Sequence, residues 1–199
     1  MSELLIGFDS AWTAGNKGAL VGVIRYDDGK FESLGLPVAA NFDEAEQTIL
    51  GLQADFDVDR TLILIDQPTI VKDASGQRPV ENLVASPVSR RHGGMQPANT
   101  SRQGMFDPGA PIWPFLNRFG GPADFLACTR PTEVFETYPV LTIIARGWII
   151  GDPHRITGRL PKYNPARKRT FSSSDWEFLC GKLLETFEGY GLAIIADWI

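Results

Sequence analysis

Three acidic residues each close a short apolar run. They are Asp9 after Leu4-Leu5-Ile6-Gly7-Phe8, Asp66 after Leu62-Ile63-Leu64-Ile65, and Glu136 after Val134-Phe135. A carboxylate beside a hydrophobic core is costly unless it is paired, protonated or bound to a metal. Each acid taken singly also reads as a turn or helix-capping residue. Three of them on separate strand-like segments point to negative charge gathered at one edge of a sheet, which is how a hard divalent cation is held by oxygen. Mg2+ or Mn2+ at such a site serves phosphodiester hydrolysis, because two ions about 3.5–4 Å apart activate the attacking water and stabilise the leaving oxygen.

Phosphate needs positive charge, and the chain has two basic clusters. Arg90, Arg91 and Arg102 lie in a stretch with no acid between Glu81 and Asp107. Arg155, Arg159, Lys162, Arg167, Lys168 and Arg169 follow later, with only Asp152 opposing nearby. The expected nucleic-acid contacts are Arg90, Arg91, Arg102, Lys162, Arg167, Lys168 and Arg169, since Lys and Arg on loops hold phosphates. Trp12, Trp113 and Tyr163 are candidates for stacking on bases. The net charge of -5 argues against binding polyanions through global charge and leaves a local basic face. His92 and His154 are isolated and lack metal-ligand spacing, and no Gly-x-x-x-x-Gly-Lys phosphate loop is present. Cys128 and Cys180 make no disulfide framework and read as core thiols.

The elements that must position these residues are legible as follows. Residues 4–9 read as a first strand, 19–26 as a second and 31–37 as a third, joined by the turn signals Gly15-Asn16-Lys17-Gly18 and Asp27-Asp28-Gly29-Lys30. This is an antiparallel meander. Asn41 caps a helix, with Glu44 at the capping-box position and Ala45, Ile49 and Leu52 on one face. Residues 62–66 form a continuous apolar run, as in a strand covered on both faces. Strand, helix and strand imply a crossover onto the same sheet. Residues 67–114 are rich in Pro, Gly, Ser, Asn and Arg, and read as a long functional loop insertion. Residues 132–137 are a fifth strand, and Pro139 opens a helix to about Trp148. Residues 151–170 are a basic loop. Ser172 to Asp175 caps a final helix, and the apolar run from Leu192 to Ile199 reads as strand-like.

At 199 residues, with 43% hydrophobic and 22% charged residues, one domain with a substantial core is expected and disorder is excluded as the main state. Glu3 stands where a signal peptide needs basic residues. The most apolar later stretch, 140–150, is split by Arg146, whereas a spanning helix needs about 20 apolar residues. A cytoplasmic protein without a membrane segment is expected.

The segments Ile6-Gly7-Phe8-Asp9-Ser10-Ala11-Trp12, Ile65-Asp66-Gln67-Pro68, Glu136-Thr137-Tyr138-Pro139, Pro161-Lys162-Tyr163-Asn164-Pro165 and Arg167-Lys168-Arg169-Thr170-Phe171 resemble those of the domain of unknown function 429 family, predicted nucleases of ribonuclease H-like fold. The resemblance implies an α/β fold with a central mixed five-stranded sheet, three antiparallel strands then parallel strands, and flanking helices. It implies a metal site on Asp9, Asp66 and Glu136, with Asp9 bridging the ions because the first strand is central in that fold. The family's late-helix acid has no clear equivalent here, and Asp197 is not assigned its role. The expected activity is metal-dependent cleavage of nucleic acid. Two alternatives stand beside it: a non-catalytic nucleic-acid-binding module of the same fold, and an ATP-dependent phosphotransferase using Gly15-Asn16-Lys17-Gly18.

Overall fold

The computed structural model describes residues 1–165 and 167–192. In chain order the elements begin with β1 (Glu3–Asp9), β2 (Gly18–Arg25), β3 (Phe31–Ser33), β4 (Val38–Ala40), α1 (Phe42–Asp55) and β5 (Arg60–Ile65). They continue with α2 (Pro79–Ser89), α3 (Ile112–Arg118), β6 (Thr132–Glu136), α4 (Pro139–Ala145), β7 (Ile150–Asp152), β8 (Arg155–Arg159) and α5 (Ser173–Gly189). The described chain falls into two compact units, 1–76 with 98–137, and 77–97 with 138–192.

The first unit is a mixed α/β layer. β1 pairs antiparallel with β2 and parallel with β5, and β5 pairs parallel with β6. The strand order is β3-β2-β1-β5-β6, with β4 also on β2. The run expected as one third strand breaks at Gly35, whose φ of 117° suits glycine, and its continuation returns to β2 as β4. α1 starts where the capping box places it. The Glu44 N–H donates to Asn41 Oδ1, and the Asn41 N–H to Glu44 Oε2, both at 2.9 Å.

Alternation along the strands decides the core. Leu4, Ile6 and Phe8 of β1, Ile63 and Ile65 of β5, and Val134 of β6 are buried with residues of α1 and α3. The rings of Phe8, Phe42 and Phe115 lock this layer, with centroids 5.5–5.7 Å apart. β5 is not covered on both faces as its apolar run suggested. Leu64 is 40% exposed, because α1 and α3 pack on the face that carries Ile63 and Ile65. Beyond β6, the Ala123 N–H donates to Val134 O at 2.8 Å, so the 122–123 segment covers that edge. Cys180 is buried as expected, but Cys128 is only half-buried.

Two loop expectations are corrected, mainly in the second unit. Residues 67–114 are not all loop, since α2 lies within them and α3 begins there. Pro79 occupies the first turn of α2, where a missing N–H costs nothing. Arg78 donates its N–H to Glu81 Oε2 at 3.0 Å and its Nε to Oε1 at 2.8 Å. Pro87, inside the helix, is what disguised it. The basic 151–170 stretch contains the antiparallel hairpin β7–β8. α4 ends at Ala145, short of Trp148, because Gly147 takes a φ of 68° and the Trp148 N–H returns to Ile143 O. α5 starts at its expected cap, with the Asp175 N–H donating to Ser172 Oγ at 3.3 Å. Val88, Ile143, Leu160 and Leu179 form the core of this unit. Residues 193–199, including Asp197 and most of the strand-like run after Leu192, lie outside the described residues. No helix among the described residues is long and apolar enough to cross a membrane.

Candidate functional site

The parallel register of β1 and β5 brings two of the three acids together. Phe8 pairs with Ile65, and the Asp66 N–H donates to Phe8 O at 3.0 Å. Asp9 and Asp66 therefore leave neighbouring strands side by side, about 4.8 Å apart at the backbone. Alternation puts both on the face opposite Phe8 and Ile65. Glu136 pairs with Ile65 instead of Asp66, so it leaves the sheet on the other face. Its Oε2 accepts the Thr69 N–H at 3.0 Å.

The three charges nevertheless act on one another. The Asp66 carboxyl is pushed from 3.8 to about 6, chiefly by burial, then by the negative charges of Asp9 and Glu136. Neither Asp9 nor Asp66 forms an ion pair among the described residues. No group of three His, Cys, Asp or Glu side chains among them is arranged to hold one metal ion. The pair Asp9 and Asp66 still suits a hard divalent cation. Mg2+ retains several waters and is commonly bound through one or two carboxylates.

Beneath the acids lies a buried polar cross-link that the sequence reading missed. Ser10 follows Asp9 and Gln67 follows Asp66, and both are fully buried. Ser10 Oγ donates to Gln67 Oε1, and Gln67 Nε2 donates to Met105 O at 3.2 Å. The available signal was positional: an uncharged polar residue directly after each acid. Trp12 ties the same two strand ends, donating Nε1–H to Asp66 O at 2.8 Å while its ring packs on Phe106. The chain reaches Trp12 through left-handed backbone at Ala11 (φ 51°) and Trp12 (φ 67°), a costly conformation for residues with a Cβ. Gly18 closes on this corner so tightly that a Cβ there would lie 1.6 Å from Asp9 O.

No family model, curated protein or solved structure matches the chain.

The residues read as phosphate contacts divide by unit and by exposure. Arg102 belongs to the first unit, whereas Arg90 and Arg91 belong to the second, so those three do not form one cluster within a unit. Arg90, Arg167, Lys168 and Arg169 are exposed. Arg91 is half-buried and donates Nη1–H to Pro87 O at 3.1 Å, closing the end of α2. Lys162 is half-buried, with Nζ donating to His92 O at 2.8 Å. Trp113 donates Nε1–H to Asp107 O at 2.7 Å and packs on the first core, and Tyr163 packs on the second. Lys17, in the Gly15-Asn16-Lys17-Gly18 turn, pairs with Glu44.

Proposed function

We propose that this chain hydrolyses phosphodiester bonds of nucleic acid at Asp9 and Asp66, with Mg2+ or Mn2+ as cofactor and Glu136 as the third acid. The observation that carries the reading is the in-register exit of Asp9 and Asp66 onto one face, with no ion pair to either among the described residues. The strand order β3-β2-β1-β5-β6, antiparallel then parallel, supports a ribonuclease H-like fold, as do the motifs resembling the domain of unknown function 429 family. Cys128 and Cys180 are both free thiols, in keeping with the reducing cytoplasm proposed as its setting.

Asp9 and Asp66 would hold the cation through carboxylate oxygens. Bound there, it supplies a Lewis acid for the scissile phosphate and lowers the pKa of a coordinated water. Asp66, with its carboxyl near 6, gives up its proton on binding, so affinity weakens as the pH falls through that value. Glu136 adds negative field from the next strand, and Thr69 fixes its carboxylate. Ser10, Gln67 and Trp12 keep the two strand ends in place.

Calorimetric titration with Mn2+ tests the site, followed by cleavage of labelled single- and double-stranded DNA and RNA. Asp9→Asn should lose both metal binding and cleavage. A parent protein that neither binds Mn2+ nor cleaves any of these substrates would refute the proposal. A non-catalytic nucleic-acid-binding module is the second reading, favoured by the lack of a three-ligand set among the described residues. Binding without cleavage by the parent, unchanged in Asp9→Asn, would select it.

A further inference from the structure

Charge in this chain is divided between its two units. The first unit holds 8 Lys and Arg against 17 Asp and Glu, a net -9. Among the described residues of the second there are 11 against 6, a net +5. The overall -5, which also counts Asp197, conceals this partition. Pairing sharpens it. In the second unit Arg78 pairs with Glu81, Arg159 with Asp175 and Lys182 with Glu185. Arg90, Arg155 and the run from Arg167 to Arg169 form no ion pair among the described residues.

Folding also joins two basic segments that are distant in sequence. Arg155 Nη1 donates to Arg90 O at 2.7 Å, the Leu160 N–H to Arg91 O at 2.9 Å, and Lys162 Nζ to His92 O at 2.8 Å. Tyr138 Oη donates to Gly94 O at 2.6 Å. Four carbonyls of the 90–94 segment are thus taken up from outside it. His92 sits at a φ of 59°, and a Cβ on Gly93 would lie 2.4 Å from Val88 Cγ1, so the segment is tightly packed. The backbone that carries Arg90 is thereby fixed, and the side chains of Arg155 and Lys162 are held against it. Lys162 registers the resulting field, its ammonium held below the usual lysine range by burial and by Arg159 and Arg167.

We infer that the second unit is a docking face for the phosphate backbone of nucleic acid, binding by charge and without reading base sequence. The inference names the partner of the hydrolytic site proposed above and rests on that reading for the purpose of the bound strand. A bilayer fits less well. Membrane-surface helices carry basic and apolar residues on one helix. Here α2 and α4 contain no Lys or Arg, and α5 has only Lys182 against Asp175, Glu177, Glu185 and Glu188. The exposed cations, Arg90, Arg146 and Arg167 to Arg169, lie at helix ends and on a loop, where a flexible phosphate chain reaches them. Tyr163, named above as a stacking candidate, packs on the core of this unit.

The test is fluorescence anisotropy of a labelled single-stranded oligonucleotide with the full chain in EDTA, over a range of salt. Four exposed contacts, Arg90, Arg167, Lys168 and Arg169, give a log–log salt slope of about -3, an affinity loss of about 50-fold between 50 and 200 mM salt. Replacing Arg167, Lys168 and Arg169 together by Ala should flatten the slope to about -1, and Arg90→Ala alone should flatten it by about 0.7. All four side chains are exposed, and unchanged thermal unfolding would confirm that the variants fold. Equal binding by Asp9→Asn supports the inference whatever becomes of the hydrolysis. No binding by the parent, an unaltered slope in the triple variant, or tighter binding to phosphatidylserine vesicles than to the oligonucleotide would overturn it.

Discussion

Replacing Asp66 by Asn should stabilise the metal-free protein at neutral pH, although Asp66 sits in the candidate site. Folding lifts the Asp66 carboxyl from 3.8 to about 6. Between those values the folded chain binds more protons than the unfolded chain, so stability falls as the pH rises through that window. A lift of this size corresponds to about 3 kcal/mol. Asp66 is only half-buried, and solvent screening brings the figure to about 1.5 kcal/mol. Asn keeps the shape and removes the charge, so Asp66→Asn gains that amount above the window and almost nothing below it. Urea unfolding followed by tryptophan fluorescence in EDTA, at about pH 4 and about pH 7.5, measures the difference. Mn2+ at a hundred times its Kd then adds about 2.7 kcal/mol to the parent and nothing to the variant, which reverses their order. A variant less stable than the parent at the higher pH without metal, or an equal gain at both pH values, would refute the reasoning.

Three further substitutions probe the surrounding structure. Gln67→Leu leaves the buried Ser10 hydroxyl without its acceptor and should cost about 1–3 kcal/mol by urea unfolding, with weaker Mn2+ binding by calorimetry. Arg159→Ala leaves buried Asp175 without its guanidinium and should cost about 3–5 kcal/mol. Arg159 holds the Asp175 carboxyl below its ordinary value, so that loss appears above the unfolded pKa and fades on acidification. Gly18→Ala drives a methyl group into the Asp9 carbonyl and should cost about 3 kcal/mol or more, read as a fall in Tm.

Much of the first unit is legible in the sequence because its signals are local. Leu4, Ile6 and Phe8 alternate, Asn41 and Glu44 cap α1 reciprocally, and Asp9 and Asp66 end their strands. What was not legible depends on offsets between segments. Whether Glu136 aligns with Ile65 or with Asp66 is a shift of one residue, and that shift chooses the face on which its carboxylate lies. α2 was hidden because Pro87 stands inside it and its cap is an arginine paired to Glu81. The contrast between the acidic stretch 43–59 and the basic runs is visible along the chain, but assigning it to two units requires knowing that 77–97 packs with 138–192.

The discontinuity of the second unit has a consequence for how the protein is made. Val88 is buried with Ile143, Leu160 and Leu179, which lie about 55 to 90 residues further along. At 5–20 residues per second, ribosomal synthesis leaves α2 without its final partner for roughly 5–20 s. β6, the last strand of the first sheet, emerges within that interval. The growing chain therefore closes its acidic unit while the first segment of the basic one, 77–97, is still waiting for the rest. For this protein, then, the arrest or slowing of translation between residues 137 and 179 would present a finished sheet beside an apolar helix with no core to join.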